Sequence, residues 1–199
     1  MSELAQKLIR EAKETKAKSL DLGNCGLREI PEEVFELEWL EQLSLNSNRI
    51  INTSTLKDLK SLQTLSLREN EVSDISFLNG HKSLKSLDLR FNRIRKIPLL
   101  SGMDSLQSLN LSANRFNDIS FLESLSSLKS LDLSGNQISD HSFLKSLISL
   151  ESLELRFPQI TDTSFLKSLI NLKAVDLFSN QISSVLSLKN LRALDLFFS

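Results

Sequence analysis

Four places in this 199-residue chain carry residue types that could do chemistry. Asp140-His141-Ser142 has the three residue types of a nucleophilic triad. A triad needs side chains converging from separate positions, and three consecutive residues do not supply that geometry. Gly80-His81-Lys82-Ser83 ends like a phosphate-binding loop of the form G-x-x-x-x-G-K-[ST] but lacks the second glycine. The single cysteine, Cys25, and the two histidines, His81 and His141, lack metal-ligand spacing, and one cysteine closes no intrachain disulfide. The fourth place is a series of pairs: Gly23-Asn24, Asn46-Ser47, Arg68-Glu69, Arg90-Phe91, Ser112-Ala113, Ser134-Gly135, Arg156-Phe157, Phe178-Ser179 and Phe197-Phe198. Small polar residues would serve equally well for solubility. Arginine and aromatic side chains are instead the types enriched where proteins bind proteins. The chemistry on offer is recognition; no enzyme activity, cofactor or metal is expected.

Charge narrows the partner. Twenty-four basic residues against 25 acidic leave a net charge of −1, which makes no field to draw the chain to nucleic acid or anionic lipid. Neither is expected as a partner. No apolar run approaches the ~18 residues that cross a bilayer. The opening stretch MSELAQKLIREAKETKAK mixes charges throughout and has no apolar core of signal-peptide length. The expectation is a soluble, cytoplasmic molecule.

The elements that position the pairs are repeats. The pattern LxxLxLxxNxI recurs from lead positions Ala17, Leu40, Leu62, Leu84, Leu106, Leu128, Leu150, Leu172 and Leu191, spaced 23, then 22 six times, then 19 residues apart. Each LxL core alternates apolar with polar, the period of a strand with one buried face. Equal spacing stacks such strands side by side as one parallel sheet. Eight to nine strands of two to five residues are expected, with Leu20, Leu43, Leu65, Leu87, Leu109, Leu131, Leu153 and Leu194 buried. No single repeat can bury its own leucines, so each depends on the next.

The ninth position reads Cys25, Asn48, Asn70, Asn92, Asn114, Asn136, Pro158, Asn180. An asparagine offers two donors and an acceptor to backbone groups orphaned where the chain leaves the strand. Stacked repeats make a ladder of them, with a break expected at Pro158. Beyond the ladder, apolar residues recur near every third position, which suits short 3₁₀ or irregular turns. Phe77, Phe121, Phe143 and Phe165 share one repeat position and are expected to stack as a buried column. His81 and His141 stand where other repeats carry Leu and Ile, so half-buried packing is expected of both.

Strings such as NEVSDISFLNGHKSL, NRFNDISFLESLSSL and NQISDHSFLKSLISL resemble the 22-residue repeats of internalins and of the phosphatase-1 regulatory leucine-rich-repeat proteins. The likeness runs from about Lys16 to Ser199. Internalins usually carry proline where Phe77, Phe121, Phe143 and Phe165 stand here, and they are exported. The first repeat, AKSLDLGNCGLREIPEEVFELEWLEQLSL, is similar to the start of intracellular bacterial leucine-rich-repeat proteins, some of which continue into a Roco-type GTPase. The resemblance implies an α/β leucine-rich-repeat solenoid, a curved right-handed coil with one parallel sheet on its concave face and short 3₁₀ or irregular turns on its convex face.

Residues 1–16 place Leu4, Leu8, Ile9 and Ala12 at helical spacing, the pattern of an N-terminal helical cap over the first repeat. Residues 17–199 form the array, about eight full repeats and a partial ninth, with no C-terminal cap expected. The strand column Asp21, Ser44, Ser66, Asp88, Asn110, Asp132, Glu154, Asp176, Asp195 makes a stripe that grows acidic toward the C-terminal half. The expected function is a non-catalytic scaffold that binds a protein partner on the concave face. The expected contacts are Glu154, Arg156, Phe157, Asp176, Phe178, Asp195 and Phe197, with Arg68, Arg90 and Phe91 as a second group. Two alternatives stand beside it. One is a sensor or regulatory module of a larger protein, such as a Roco-type GTPase. The other is self-association, a homodimer through the C-terminal edge.

Overall fold

In the computed structural model the described residues are 2–100, 102–156 and 160–180, together with the backbone of 193–195. One nine-stranded parallel sheet runs through them in chain order. Its strands are β1 (Ser19–Asp21), β2 (Gln42–Ser44), β3 (Thr64–Ser66), β4 (Ser86–Asp88), β5 (Ser108–Asn110), β6 (Ser130–Asp132), β7 (Ser152–Glu154), β8 (Ala174–Asp176) and β9 (Ala193–Asp195). Each strand belongs to one repeat, and the repeats are numbered accordingly. The register sets Leu20 beside Leu43, Leu43 beside Leu65, and so on to Val175 beside Leu194. This is the arrangement that equal repeat spacing predicts. Leu20, Leu43, Leu65, Leu87, Leu109, Leu131 and Leu153 are all buried; the side chain of Leu194 lies outside the described residues. Burying one such leucine contributes roughly 1.5–3 kcal/mol, so the inner row is the main source of cohesion.

Where the chain leaves each strand, the asparagines make the expected ladder. Asn48 Nδ2 donates to Leu22 O and Leu45 O, both at 2.9 Å, while its Oδ1 accepts from Leu27 N at 2.9 Å. Asn70, Asn92 and Asn114 repeat the set one repeat later each time. Cys25 is buried at the head of the ladder. The expected break at Pro158 lies outside the described residues.

Short 3₁₀ helices cover the other side: Glu32–Glu36, Ser54–Asp58, Ser76–Leu78, Ser120–Ser124, Ser142–Ser146 and Ser164–Ser168. Five of the six begin at an Asx-x-Ser string. In each, the first side chain accepts the serine N–H: Asn52 from Ser54, Asp74 from Ser76, Asp118 from Ser120, Asp140 from Ser142 and Asp162 from Ser164. Such a side chain closes the turn in place of a backbone acceptor. Phe77, Phe121 and Phe165 are buried as expected and Phe143 is half-buried, but three of the rings have other partners, Phe77 edge-on to His81, Phe121 edge-on to Phe116 and Phe165 stacked on His141, and exposed Leu99 holds the place in repeat 4. Repeat 4 is the exception among the described repeats. It carries Arg95-Lys96-Ile97-Pro98 where repeats 2, 3, 5, 6 and 7 have Asx-x-Ser, no 3₁₀ helix forms between β4 and β5 among the described residues, and Leu99 is exposed.

Helix α1 (Glu3–Thr15) packs against β1. Ser2 caps it by accepting from Ala5 N, and Lys16 ends it in the left-handed conformation at φ 54. The face it buries is Ala5, Ile9 and Ala12, with Leu8 at its border. The expectation for Leu4 is corrected: it is exposed, because the buried stripe runs through positions 5, 9 and 12 and leaves residue 4 on its flank. Lys16 Nζ lies 3.6 Å above the Trp39 ring, and Trp39 Nε1 donates to Ala17 O at 3.1 Å, which ties the end of the helix to repeat 2.

Candidate partner-binding surface

The residue between the strand leucines faces the open side of the sheet, and its carboxylates have a structural task that sequence reading did not reveal. The N–H two residues on has no strand partner, and the side chain accepts it: Gly23 N to Asp21 Oδ1 at 2.9 Å, Arg90 N to Asp88 at 3.1 Å, Ser112 N to Asn110 at 3.0 Å, Ser134 N to Asp132 at 2.9 Å and Phe178 N to Asp176 at 2.9 Å. Ser66 and Glu154 do not make the bond. There the preceding repeat supplies the acceptor: Asn46 Oδ1 takes Arg68 N at 3.0 Å, and Ser134 Oγ takes Arg156 N at 3.1 Å. The acidic stripe is therefore a run of end-caps for the sheet.

Two of the arginines that follow, Arg90 and Arg156, pair with it, and Arg68 pairs with Glu69 beside it. Arg68 places Nε and Nη2 on Glu69 Oε1 at 3.0 and 2.7 Å. The Ser47 hydroxyl and then Arg68 hold the Glu69 carboxyl below its usual range. Arg90 closes on Asp88 Oδ2 at 2.9 Å through Nε and 2.8 Å through Nη2. Arg156 spans two repeats, with Nη2 at 2.6 Å from Asp176 Oδ2 and 3.8 Å from Glu154 Oε2. Glu154 is half-buried. Desolvation and then the neighbouring Asp132 push its carboxyl up, against the pull of Arg156. Exposed pairs of this kind contribute ~0–1 kcal/mol each, so they order side chains more than they stabilise the fold.

Two rings remain outside. Phe91 is 52% exposed and Phe178 is 41% exposed, on a face otherwise lined by Ser, Asp and Asn. The expected residues thus fall into two groups: Arg68, Arg90 and Phe91 on repeats 3 and 4, and Glu154, Arg156, Asp176 and Phe178 on repeats 7 and 8. Arg90 and Arg156 follow strands three apart, about 14 Å at the usual strand spacing. Ser112, Ala113, Ser134 and Gly135 lie between the groups. Phe157, Phe197 and the side chain of Asp195 lie outside the described residues.

Sequence reading also missed the backbone of the second residue in each pair. Asn24, Ser47, Glu69, Phe91, Ala113, Gly135 and Ser179 all hold φ between 53° and 69°. Asparagine, serine and glycine in that column were the available signal. A phenylalanine there is an outlier, because the left-handed region crowds any Cβ.

The triad-like string proves to be a turn. Ser142 N donates to Asp140 Oδ1 at 2.8 Å, and this bond holds the Asp140 carboxyl below its usual range. His141 is half-buried as expected, stacked on Phe165 with ring centroids 6.2 Å apart. His81 departs from the expectation: it is fully buried, edge-on to Phe77, with Nε2 3.1 Å from Leu56 O. It occupies a core leucine's place, and the repeats on either side close over it. Burial lowers the basicity of both imidazoles. Among the described residues no three His, Cys, Asp or Glu side chains gather as a metal site, and no helix is long and apolar enough to cross a membrane.

Parallel three-residue strands stacked in register, an asparagine ladder and 3₁₀ turns on the far side define a leucine-rich-repeat solenoid. The chain belongs to the leucine-rich-repeat family. A leucine rich repeat model matches residues 15–72, and a two-copy leucine-rich-repeat model matches residues 60–102, 82–124 and 126–168. Its repeats are internalin-like. Internalin C2 of Listeria monocytogenes is similar at 30% identity and a TM-score of 0.88, over 98% of this chain and 93% of that one. An internalin (InlF) of the same organism is similar at 25% identity and 0.81, over 97% and 68%. A leucine-rich-repeat protein of Leptospira interrogans is similar at 26% identity and 0.79, over 96% of this chain and 57% of its own length. No curated protein matches the sequence. Proteins of this family are in general protein-interaction scaffolds and typically non-catalytic.

Proposed function

We propose that this chain is a non-catalytic scaffold whose concave face takes a protein partner. The contacts assigned to it are Arg68, Arg90 and Phe91 in one group and Glu154, Arg156, Phe157, Asp176, Phe178, Asp195 and Phe197 in the other. The observation that carries the reading is the pair of exposed rings, Phe91 and Phe178, on a sheet face of short polar side chains. Exposed rings cost solubility, and each is edged by an arginine already held in place by a carboxylate. Apolar anchors with a charged rim are the anatomy of a protein interface. The acidic column supports it less, since its carboxylates are engaged with the backbone.

The test is capture of partners from the host with four baits. They are the wild type, a variant with serine at Arg156, Phe157, Phe178 and Phe197, a variant with serine at Arg68, Arg90 and Phe91, and a convex-face control, Ile170→Ser. A partner held by wild type and control but lost by one concave variant of unchanged circular dichroism supports the reading. A partner held equally by all four places binding elsewhere.

A further inference from the structure

Beyond the strand of repeat 4, Phe91, Arg93 and Arg95 are exposed while Asn92 and Ile94 between them are buried. The three side chains therefore stand in one row along the outer edge of the solenoid, two residues apart. Phe91 holds φ 56, a conformation the same column takes in the other repeats with Asn24, Ser47, Glu69, Ala113, Gly135 and Ser179, of which only glycine is uncrowded. Stacking is satisfied by any of those residues, so packing gives no reason for a strained ring. Strain retained at an exposed position is a mark of function.

The surroundings of the row are cationic. Arg115 holds in repeat 5 the place that Arg93 holds in repeat 4, one sheet spacing or about 4.8 Å away. Lys96 follows Arg95. Arg93 is answered by Glu71, with Nη1 and Oε2 2.9 Å apart; Arg95, Lys96 and Arg115 form no ion pair among the described residues. Lys96 stands at the register place that Asp74 and Asp118 hold in the flanking repeats, so the excess lies with the guanidinium groups: Arg93, Arg95 and Arg115 share one carboxylate, Glu71. The surface is also narrow. In the same row, repeat 3 presents Glu69, Glu71 and Ser73, and repeat 6 presents Gly135, Gln137 and Ser139. The carboxylates of repeat 3 would repel a long polyanion laid across the repeats, whereas a short segment lying along repeats 4 and 5 avoids them.

We propose that this edge docks an extended, acidic peptide segment of a partner protein. An apolar side chain of the segment packs on Phe91, and carboxylates two and four residues along meet Arg93 and Arg95, with Arg115 beside them. An extended peptide repeats its outward side chains every two residues, about 7 Å, and the exposed side chains of the row also recur every two residues. The proposal rests on the chain being a protein-binding scaffold. It shares Phe91 with the repeat 3 and 4 contacts of that reading and leaves out Arg156 and Phe178, so Arg95→Glu/Arg115→Glu and Arg156→Ser/Phe178→Ser tell the two apart.

The probe is a fluorescein-labelled ten-residue peptide, serine-rich, with a central Leu-Ser-Glu-Ser-Glu, read by anisotropy at rising salt. Binding is expected to weaken steeply with salt, and to drop about tenfold or more when lysine replaces glutamate in the peptide and in the Arg95→Glu/Arg115→Glu protein. Arg95→Gln/Arg115→Gln, which introduces no new charge, moves in the same direction and guards against a folding artefact. Phe91→Gly weakens binding while the protein melts no earlier than wild type, an outcome that a purely structural role for the ring does not give. Equal binding of the lysine peptide, no detectable binding of the glutamate peptide, or unchanged binding by Arg95→Glu/Arg115→Glu overturns the proposal. So does an oligothymidylate that binds more tightly with the same arginine dependence. Should Arg156→Ser/Phe178→Ser lose the peptide while Arg95→Glu/Arg115→Glu keeps it, the edge is wrong and the concave face stands.

Discussion

Repeats 4 and 5 begin almost alike, at Ser86-Leu87-Asp88 and Ser108-Leu109-Asn110, and part company beyond the strand. Repeat 5 turns through Ser112-Ala113, reaches Asp118-Ile119-Ser120 and closes a 3₁₀ helix over Phe121. Repeat 4 turns through Arg90-Phe91, has no Asx-x-Ser string, forms no 3₁₀ helix among the described residues and exposes Leu99. Their inward frames are nonetheless equivalent: Leu87, Leu89 and Ile94 are as buried as Leu109, Leu111 and Phe116. Stacking constrains the inward residues of every repeat and leaves the outward ones free. An outward residue that carries a cost, such as a ring in the left-handed region, therefore asks for a reason outside the fold.

The comparison can be tested first where the two repeats agree. Leu109→Ala removes a buried row member between Leu87 and Leu131 and is expected to cost ~2–5 kcal/mol in denaturant melts. Ser112→Arg, three residues along on the outward side, should stay within about 0.5 kcal/mol. Arg68, Arg90 and Arg156 already occupy that register place in other repeats. A loss below about 1 kcal/mol for Leu109→Ala breaks the division into inward and outward positions.

Next comes the ladder that joins them. Asn114 Oδ1 accepts from Ile94 N in repeat 4, and its Nδ2 serves Leu89 O and Leu111 O. Asn114→Ala leaves these buried groups unpaired and is expected to cost about 1–3 kcal/mol by the same melts. Hydrogen exchange at Ile94 should quicken with it, and an unchanged rate would show the ladder bond to be dispensable.

The outward difference is smaller and of opposite sign. Phe91→Gly relieves the crowding at φ 56 and is expected to raise stability by about 1 kcal/mol. Gly135→Ala, at φ +69 in the same column of repeat 6, should lower it by a similar amount, since the added Cβ meets Ala113 at 3.4–3.9 Å, ordinary contact, but carries the backbone cost. Were Phe91→Gly to destabilise, the ring would be packing rather than strained.

The smallest expected effect is on pH. His81 is buried, with Lys60 adding to the cost of charging it, and His141 is half-buried beside Asp140; both are held below their ordinary 6.5, mainly by desolvation. The unfolded chain therefore binds protons that the folded chain resists. Stability is fully present above about pH 6.5 and is lost as pH falls toward the folded values. His81→Leu, the residue type most other repeats use there, should flatten part of that fall in melts taken between about pH 7 and 5. An identical slope in the variant would remove His81 from the account.

The 22-residue period determined, by itself, the stacked parallel strands, the buried leucines and the asparagine ladder. It could do so because each of these is a demand every repeat makes on its neighbour, and a demand made many times is visible in one sequence. The tertiary structure decided what happens at residues that point away from the stack. Leu4 and Leu8 share a helical stripe on paper, yet the docking of α1 on β1 leaves one exposed and the other half-buried. Asp88, Asp132 and Asp176 read as surface charge but serve backbone N–H groups, since the strands end on them and the N–H two residues on has no strand partner. Asp140-His141-Ser142 reads as reactive and is a turn closure. Whether an arginine is free depends on residues about a repeat away: Asp176 takes Arg156 and Glu71 takes Arg93, while among the described residues no carboxylate answers Arg95 or Arg115. Inward positions answer to a repeating local rule. Outward charges and rings answer to whichever neighbours the coil brings beside them.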